Sequence, residues 1–172
     1  LSNQQLILSN INMLFVFFRR FCWLWILVLI QALILNNIQL FGYATPFLYV
    51  YLLLKFNVDT SRYSLLLWGF CLGLAVDIFT NTPGVNAAAT VLLAFVCPFL
   101  VWLFSPRDSS DNFSPGIRSM GTIPFLKYVV LALLVHQTAL FVILTFSFTH
   151  FFDLLIRIVS CTLITTLCIW SI

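Results

Sequence analysis

The sequence predicts an all-α integral membrane protein that folds as a six-helix transmembrane bundle. Of the 172 residues, 62% are hydrophobic and only 8% are charged, and the mean hydropathy is +1.10. A soluble domain cannot bury apolar surface on that scale. The apolar runs also lack the regular alternation of barrel strands. Because lipid offers no hydrogen-bond partners to the backbone, the spanning segments are expected to be helical.

Six apolar segments are candidate spans, near 21–40, 45–56, 63–80, 87–104, 123–147 and 151–171. The first follows Arg19 and Arg20 and has no small-residue cleavage site after it, so we expect it to remain as a span rather than to act as a signal peptide. Residues 1–20 are then predicted to be a cytoplasmic N-terminal segment, with Met13 as a possible start. Residues 21–172 are predicted to form one six-span domain.

The second segment is short for a span, since residues 43–57 in a helix measure about 22 Å against a hydrocarbon core of about 30 Å. The distribution of basic residues favours a crossing. If the segment crosses, seven of the eight basic residues lie on the cytoplasmic side: Arg19, Arg20, Lys55, Arg62, Arg107, Arg118 and Lys127. Only Arg157 is then outside, as the positive-inside rule requires. Both termini are therefore predicted to be cytoplasmic.

The connections between the segments differ in composition. Residues 105–121, SPRDSSDNFSPGIRSMG, combine Ser, Pro, Gly and charge, which is typical of a flexible loop, here on the cytoplasmic side. The outer loops are short. Asn81, Pro83 and Gly84 are typical turn residues, and Asn86 is predicted to cap the helix that follows them.

Asp77 is an unexpected charge at the end of the third apolar segment. Helical spacing puts it on the same face as Gly69 and Gly73, so the carboxylate is predicted to face a neighbouring helix. Arg157 is expected at a similar depth, and an ion pair between Asp77 and Arg157 would offset the cost of burying each charge. Two alternatives remain. Asp153 is one turn from Arg157 and could pair with it, and Asp77 could reach the headgroups or cap the turn that follows.

Gln31 and His136 lie near the middle of the first and fifth segments. A neutral His136 that hydrogen-bonds to a neighbouring helix is favoured over a proton relay, since no acidic residue is evident at the same depth. The five cysteines lie within apolar stretches and are interpreted as packing residues. Metalloprotease, serine hydrolase and phosphate-loop motifs are missing from the sequence. We therefore predict no enzymatic activity, no cofactor, no metal and no nucleic-acid partner.

One long pattern is more specific than the others. Residues 69–89 read G-x-x-x-G-L-x-x-D-x-F-x-N-T-x-G-x-x-A-A-A, after QALILNNIQLFGYATPFLYVYLLL and before HQTALFVILTFSF. Together these stretches resemble the rod-shape-determining protein MreD family. The resemblance implies a multi-pass protein of the bacterial inner membrane, with a fold similar to the substrate-binding subunits of energy-coupling-factor transporters. It also implies a non-enzymatic subunit of the rod complex, or elongasome, that maintains cell shape.

The same resemblance implies that the chain supports MreC and, through it, RodA, the transpeptidase partner of RodA and MreB in lateral peptidoglycan synthesis. Four positions depart from the family pattern: Lys55, Cys97, Gln137 and Leu144 stand where Pro, Arg, His and Glu are expected. The roles of those positions cannot be carried over.

Two functions remain open at this stage. In the first, the chain is a scaffold, and the face with Gly69, Gly73 and Asp77 serves internal packing or MreC binding, with internal packing favoured. In the second, the chain is a small-molecule carrier with an outward cavity near Asp77, Asn81, Asn86 and Arg157. A filled core would favour the scaffold, whereas a large polar cavity would favour the carrier.

Overall fold

The computed structural model describes residues 3–35, 45–57, 60–105, 114–145 and 151–171. All regular structure within these ranges is helical: α1 (Asn3–Leu33), α2 (Val50–Leu54), α3 (Arg62–Thr80), α4 (Val85–Phe104), α5 (Ile117–Met120), α6 (Thr122–Thr145) and α7 (Phe151–Trp170). Five of these helices are long and apolar enough to cross a membrane, namely α1 from Leu14 onward, α3, α4, α6 and α7. The prediction of an all-α, multi-pass membrane protein is confirmed at this level.

The long helices pack side by side in a simple order. Helix α3 packs on α4, α4 on α6, and α6 on α7, while α1 lies against α3. Large apolar side chains cover the outside of the bundle; Ile78, Phe95 and Trp102 are each more than 70% exposed. Such a surface suits hydrocarbon as the surrounding solvent.

The four later spans were predicted closely, but the first was misplaced. Helix α1 runs without a break from Asn3 to Leu33, and its apolar part begins at Leu14, not at residue 21. Arg19 and Arg20 therefore lie within the helix, because the apolar residues before them continue the same helical run. The predicted boundary at residue 20 is not a break in the secondary structure. Residues 36–44, where the predicted span would end, are outside the described part of the chain.

The predicted second transmembrane helix is largely not a helix. Within residues 45–57, which we call the central segment, only the five residues of α2 are α-helical. The segment is nevertheless buried, and Tyr49, Val50 and Leu53 have no exposed surface. It runs antiparallel to the C-terminal half of α1. Its start is hydrogen-bonded to Gln31, and near its end the Arg20 guanidinium lies over the Phe56 ring.

The predicted cytoplasmic loop of residues 105–121 is described only in part. Residues 106–113 are outside the described ranges, and residues 117–120 form the short helix α5. The Ser119 hydroxyl, within α5, donates a hydrogen bond at 2.7 Å to the carbonyl of Ser114, which precedes the helix. Gly121 then takes a positive φ of 85°, a conformation that favours glycine, and α6 begins at the next residue.

Candidate functional site, a buried polar network on the central segment

The small-residue face of α3 packs against α4. A Cβ added at Gly73 would lie 2.5 Å from Ala87 Cα and 2.6 Å from the Asn86 carbonyl oxygen, so only glycine permits this approach. One turn earlier, a Cβ at Gly69 would lie 3.1 Å from the Thr90 carbonyl oxygen. The Thr90 hydroxyl donates to the Gly69 carbonyl at 2.8 Å, which ties the two helices together. The glycine face thus serves internal packing.

Asp77 extends this contact by capping a helix other than its own. Its Oδ1 accepts from the Asn86 backbone N–H, the Asn86 side-chain amide and the Thr82 hydroxyl, each at 2.9 Å. Its Oδ2 accepts from the Ala87 backbone N–H, also at 2.9 Å. A carboxylate from α3 therefore binds two of the first N–H groups of α4 and lies at the positive end of its dipole.

The predicted pairing of Asp77 with Arg157 is wrong. The donors to the Asp77 carboxylate come from residues 82–87, and Arg157 is exposed on α7. Charge matching alone pairs a buried carboxylate with a cation. Four hydrogen-bond donors at a helix N-terminus compensate this charge instead. The alternative in which Asp77 caps the following turn was closer to the structure.

The predicted cap at Asn86 is also wrong. The residue before α4 is Gly84, at a φ of 82°, and it has no side chain to cap with. Asn86 lies within the first turn, where its amide donates to Asp77 and Thr82. Asn81 ends α3 in the left-handed conformation, with a φ of 55°. Asn81, Pro83 and Gly84 are exposed on the turn.

Tyr49 connects this cap to the centre of the bundle. Its hydroxyl donates to Asn86 Oδ1 at 2.9 Å and lies 3.1 Å from His136 Nε2. A tyrosine hydroxyl has one proton, and here it goes to Asn86, so His136 donates from Nε2. All donors then point the same way, from His136 through Tyr49 and Asn86 to Asp77. We call these four residues the polar network; each is at most 5% exposed.

The start of the central segment is held by side chains from two further helices. The Gln31 amide donates to the Pro46 carbonyl at 3.0 Å, and its oxygen accepts from the Leu48 N–H at 3.1 Å. The Phe47 N–H donates to the Thr165 hydroxyl at 3.1 Å. Non-helical backbone within a membrane is tolerated only where such partners exist. Gln31 therefore fixes the backbone of the central segment.

The end of α2 is satisfied in the same way. The Tyr128 hydroxyl lies 3.3 Å from the Leu54 carbonyl oxygen, to which it donates, and 3.0 Å from Cys97 Sγ. Cys97 thus has a packing and weak hydrogen-bonding role beside the last turn of α2. The carbonyl groups at a short helix end, which have no partner within the helix, are covered here by α4 and α6.

Sequence reasoning missed Tyr49, Tyr128 and Thr165. A signal was present, because the second segment was too short to cross as a helix and contained Pro46. An apolar stretch of that kind requires polar partners for its backbone. Buried hydroxyls on the neighbouring helices are the residues that can supply them.

The side chains of the polar network hydrogen-bond to one another and to backbone N–H groups of α4. Within the part of the chain that the structure describes, no three His, Cys, Asp or Glu side chains come together as metal ligands would. Comparison with known proteins gave no match to a family model, to a curated protein or to a solved structure.

Proposed function

We propose that this chain is a non-enzymatic subunit of a bacterial rod complex, of the MreD kind, in the inner membrane. In this role it supports MreC beside RodA, the transpeptidase partner of RodA and the MreB filament during lateral peptidoglycan synthesis. The proposal begins from the pattern in residues 69–89 and its resemblance to that family. The geometry around those residues supports it.

The observation that carries the proposal is that buried polar residues within 69–89 hydrogen-bond inside the chain. Asp77 and Asn86 are 4% and 5% exposed, and they hydrogen-bond to each other, to Thr82 and to Tyr49. Gly69 and Gly73 pack closely against α4. These hydrogen bonds and close glycine contacts fix the angle and register of α3 and α4, which is what a scaffold requires. Catalysis requires reactive groups that can reach a substrate.

A small-molecule carrier fits these residues less well. The ligand site considered for it used Asp77, Asn81, Asn86 and Arg157. Asp77 and Asn86 already hydrogen-bond to each other. Asn81 lies on an exposed turn, and Arg157 lies on the exposed face of α7. These side chains do not converge on one ligand.

The proposal includes six passes with both termini in the cytoplasm. Contacts at Gln31 and at Arg20 lie at opposite ends of the central segment, so this segment returns the chain toward the N-terminal part of α1. Arg19, Arg20 and Lys55 line the same cavity as Ser114. By the positive-inside rule, this basic end faces the cytoplasm.

The test is recovery of MreC with the affinity-tagged chain after crosslinking in native membranes. The wild-type chain is expected to recover MreC. It is also expected to restore rod shape in cells whose own gene for this subunit has been deleted. Asp77→Ala, which removes the cap on α4, is expected to lose both, whereas Asp153→Asn is expected to keep both. Failure of the wild-type chain to recover MreC under these conditions rejects the proposal.

A further inference from the structure

A second polar feature lies at the opposite end of the bundle from the polar network. Helix α1 and the central segment enclose an open cavity of about 470 Å³, which we call the basic cavity. Its polar lining includes Arg19, Arg20 and Lys55, and its apolar lining includes Trp23, Leu27 and Leu52. The packing of the bundle does not require three cations at one cavity.

Two of the three cations, Arg20 and Lys55, lie over aromatic rings. The Arg20 guanidinium carbon lies 4.5 Å from the centroid of the Phe56 ring, and Lys55 Nζ lies 5.5 Å from that of Tyr51. Contact with a ring face orients a guanidinium but leaves the N–H groups at its edge available. Among the described residues that line the cavity there is no carboxylate. An anion is the ligand that would complement this charge.

The lining changes from charged to apolar along α1. Leu27 is buried and lies about two turns deeper than Arg20, at roughly 1.5 Å per residue. Trp23 lies between them in sequence and is half exposed, as is typical of aromatic residues at a membrane interface. The cavity thus offers cations at one level and apolar surface at the next. This arrangement matches an amphiphile with an anionic head.

We propose that the basic cavity binds the phosphate of an anionic phospholipid from the cytoplasmic leaflet. Arg19, Arg20 and Lys55 bind the phosphodiester oxygens, and one acyl chain lies along Trp23 and Leu27. Basic pockets between transmembrane segments on the cytoplasmic side are suited to such headgroups. A zwitterionic lipid carries its own ammonium group and therefore gains less from this site. The inference rests on the cytoplasmic orientation of this end, which is part of the proposed function, and not on the role in the rod complex.

The experiment uses the full-length chain purified in detergent and titrated with phosphatidylglycerol or phosphatidylcholine, with bound lipid counted by native mass spectrometry. Phosphatidylglycerol is expected to bind more tightly. Arg19→Gln is expected to weaken it roughly fivefold, and Arg19→Gln with Lys55→Gln roughly twenty-fivefold. Both side chains are exposed, so these variants are expected to fold. Arg157→Gln, on the exposed face of α7, is the matched control and is expected to bind as wild type does.

Three results would overturn the proposal. Equal binding of the two lipids shows that the anionic head is not recognised. Unchanged binding in the double variant, with helicity and melting temperature preserved, places the lipid elsewhere. Displacement of phosphatidylglycerol by glycerol 3-phosphate or inorganic phosphate at equal concentration shows that a soluble phosphate, and not a lipid, is the ligand.

Discussion

The Tyr49 hydroxyl lies 3.1 Å from His136 Nε2, and this contact joins the central segment to α6 in the interior of the bundle. Tyr49 is fully buried, as is His136. With its proton donated to Asn86, Tyr49 also joins both residues to the Asp77 cap. The position of an irregular segment inside a membrane protein thus depends on a few side-chain hydrogen bonds.

Replacing Tyr49 with Phe tests that dependence. The variant keeps the ring but leaves Asn86 Oδ1 and His136 Nε2 without their shared partner, at a cost of about 1–3 kcal/mol. The melting temperature of the purified chain, followed by tryptophan fluorescence, is expected to fall. Tyr63→Phe is the matched control, since Tyr63 is 86% exposed. A double-mutant cycle with His136→Leu should show coupling of at least about 0.5 kcal/mol; strict additivity would contradict the network.

Removal of the Asp77 carboxylate is expected to be more damaging. Asp77→Ala leaves two backbone N–H groups of α4 and one N–H of the Asn86 amide unsatisfied in a buried site, which costs roughly 3 kcal/mol or more. Asp77→Asn should recover only part of the loss. Its amide oxygen can still accept hydrogen bonds, but its NH₂ group would face N–H donors and could not accept from them. Asp153→Asn, an exposed carboxylate on α7, should melt close to wild type. Equal stability of the Asp77 and Asp153 variants would show that the cap contributes little.

The glycine face predicts a graded series of alanine variants. Gly73→Ala places a Cβ 2.5 Å from Ala87 Cα, so α3 and α4 must separate. The clash in Gly69→Ala is milder than in Gly73→Ala, because the atoms nearest to the added Cβ lie at 3.0–3.1 Å, which is still closer than ordinary van der Waals contact. Gly116→Ala meets only Ser119 Oγ at 3.6 Å and serves as the control. The melting temperature in detergent should be highest for Gly116→Ala, lower for Gly69→Ala and lowest for Gly73→Ala. Any other order would contradict backbone contact as the reason for the glycines.

Gln137 predicts a stabilising substitution. Its side chain is fully buried, and neither its amide nitrogen nor its oxygen has a hydrogen-bond partner in the described structure. Burying an unsatisfied amide costs about 1–3 kcal/mol. Gln137→Met has a similar volume and no such requirement, so the melting temperature is expected to rise. Gln137→Glu is the opposite control and is expected to lower it. A Met variant less stable than wild type would show that the amide has a partner, such as a buried water.

The sequence predicted four of the five long helices well, because long apolar runs indicate them directly. The predicted spans that became α3, α4, α6 and α7 agree with the structure to within about two residues at each end. Helical spacing also identified the face that carries Gly69, Gly73 and Asp77. The face was predictable because a helix imposes its own periodicity before any tertiary contact is known.

The partners of those residues were not predictable in the same way. Asp77 accepts from backbone N–H groups, and backbone donors leave no trace in the amino-acid sequence. Charge matching therefore pointed to Arg157, the visible cation at that end. The central segment was mispredicted for a related reason, because its backbone partners Gln31, Tyr128 and Thr165 come from distant parts of the chain.

The course of the central segment predicts which turns share a side of the membrane. If the segment returns the chain across the bilayer, residues 61 and 114 lie in the cytoplasm and residue 83 lies outside. Single cysteines introduced as Ser61→Cys, Ser114→Cys and Pro83→Cys are all at exposed positions. With the native cysteines replaced, a membrane-impermeant maleimide added to intact spheroplasts should label only the third, and lysis should expose the other two. Labelling of Ser61→Cys before lysis would mean that the chain does not cross between residues 35 and 61. The basic residues would then be divided between the two sides, and the basic cavity would no longer face the anionic inner leaflet.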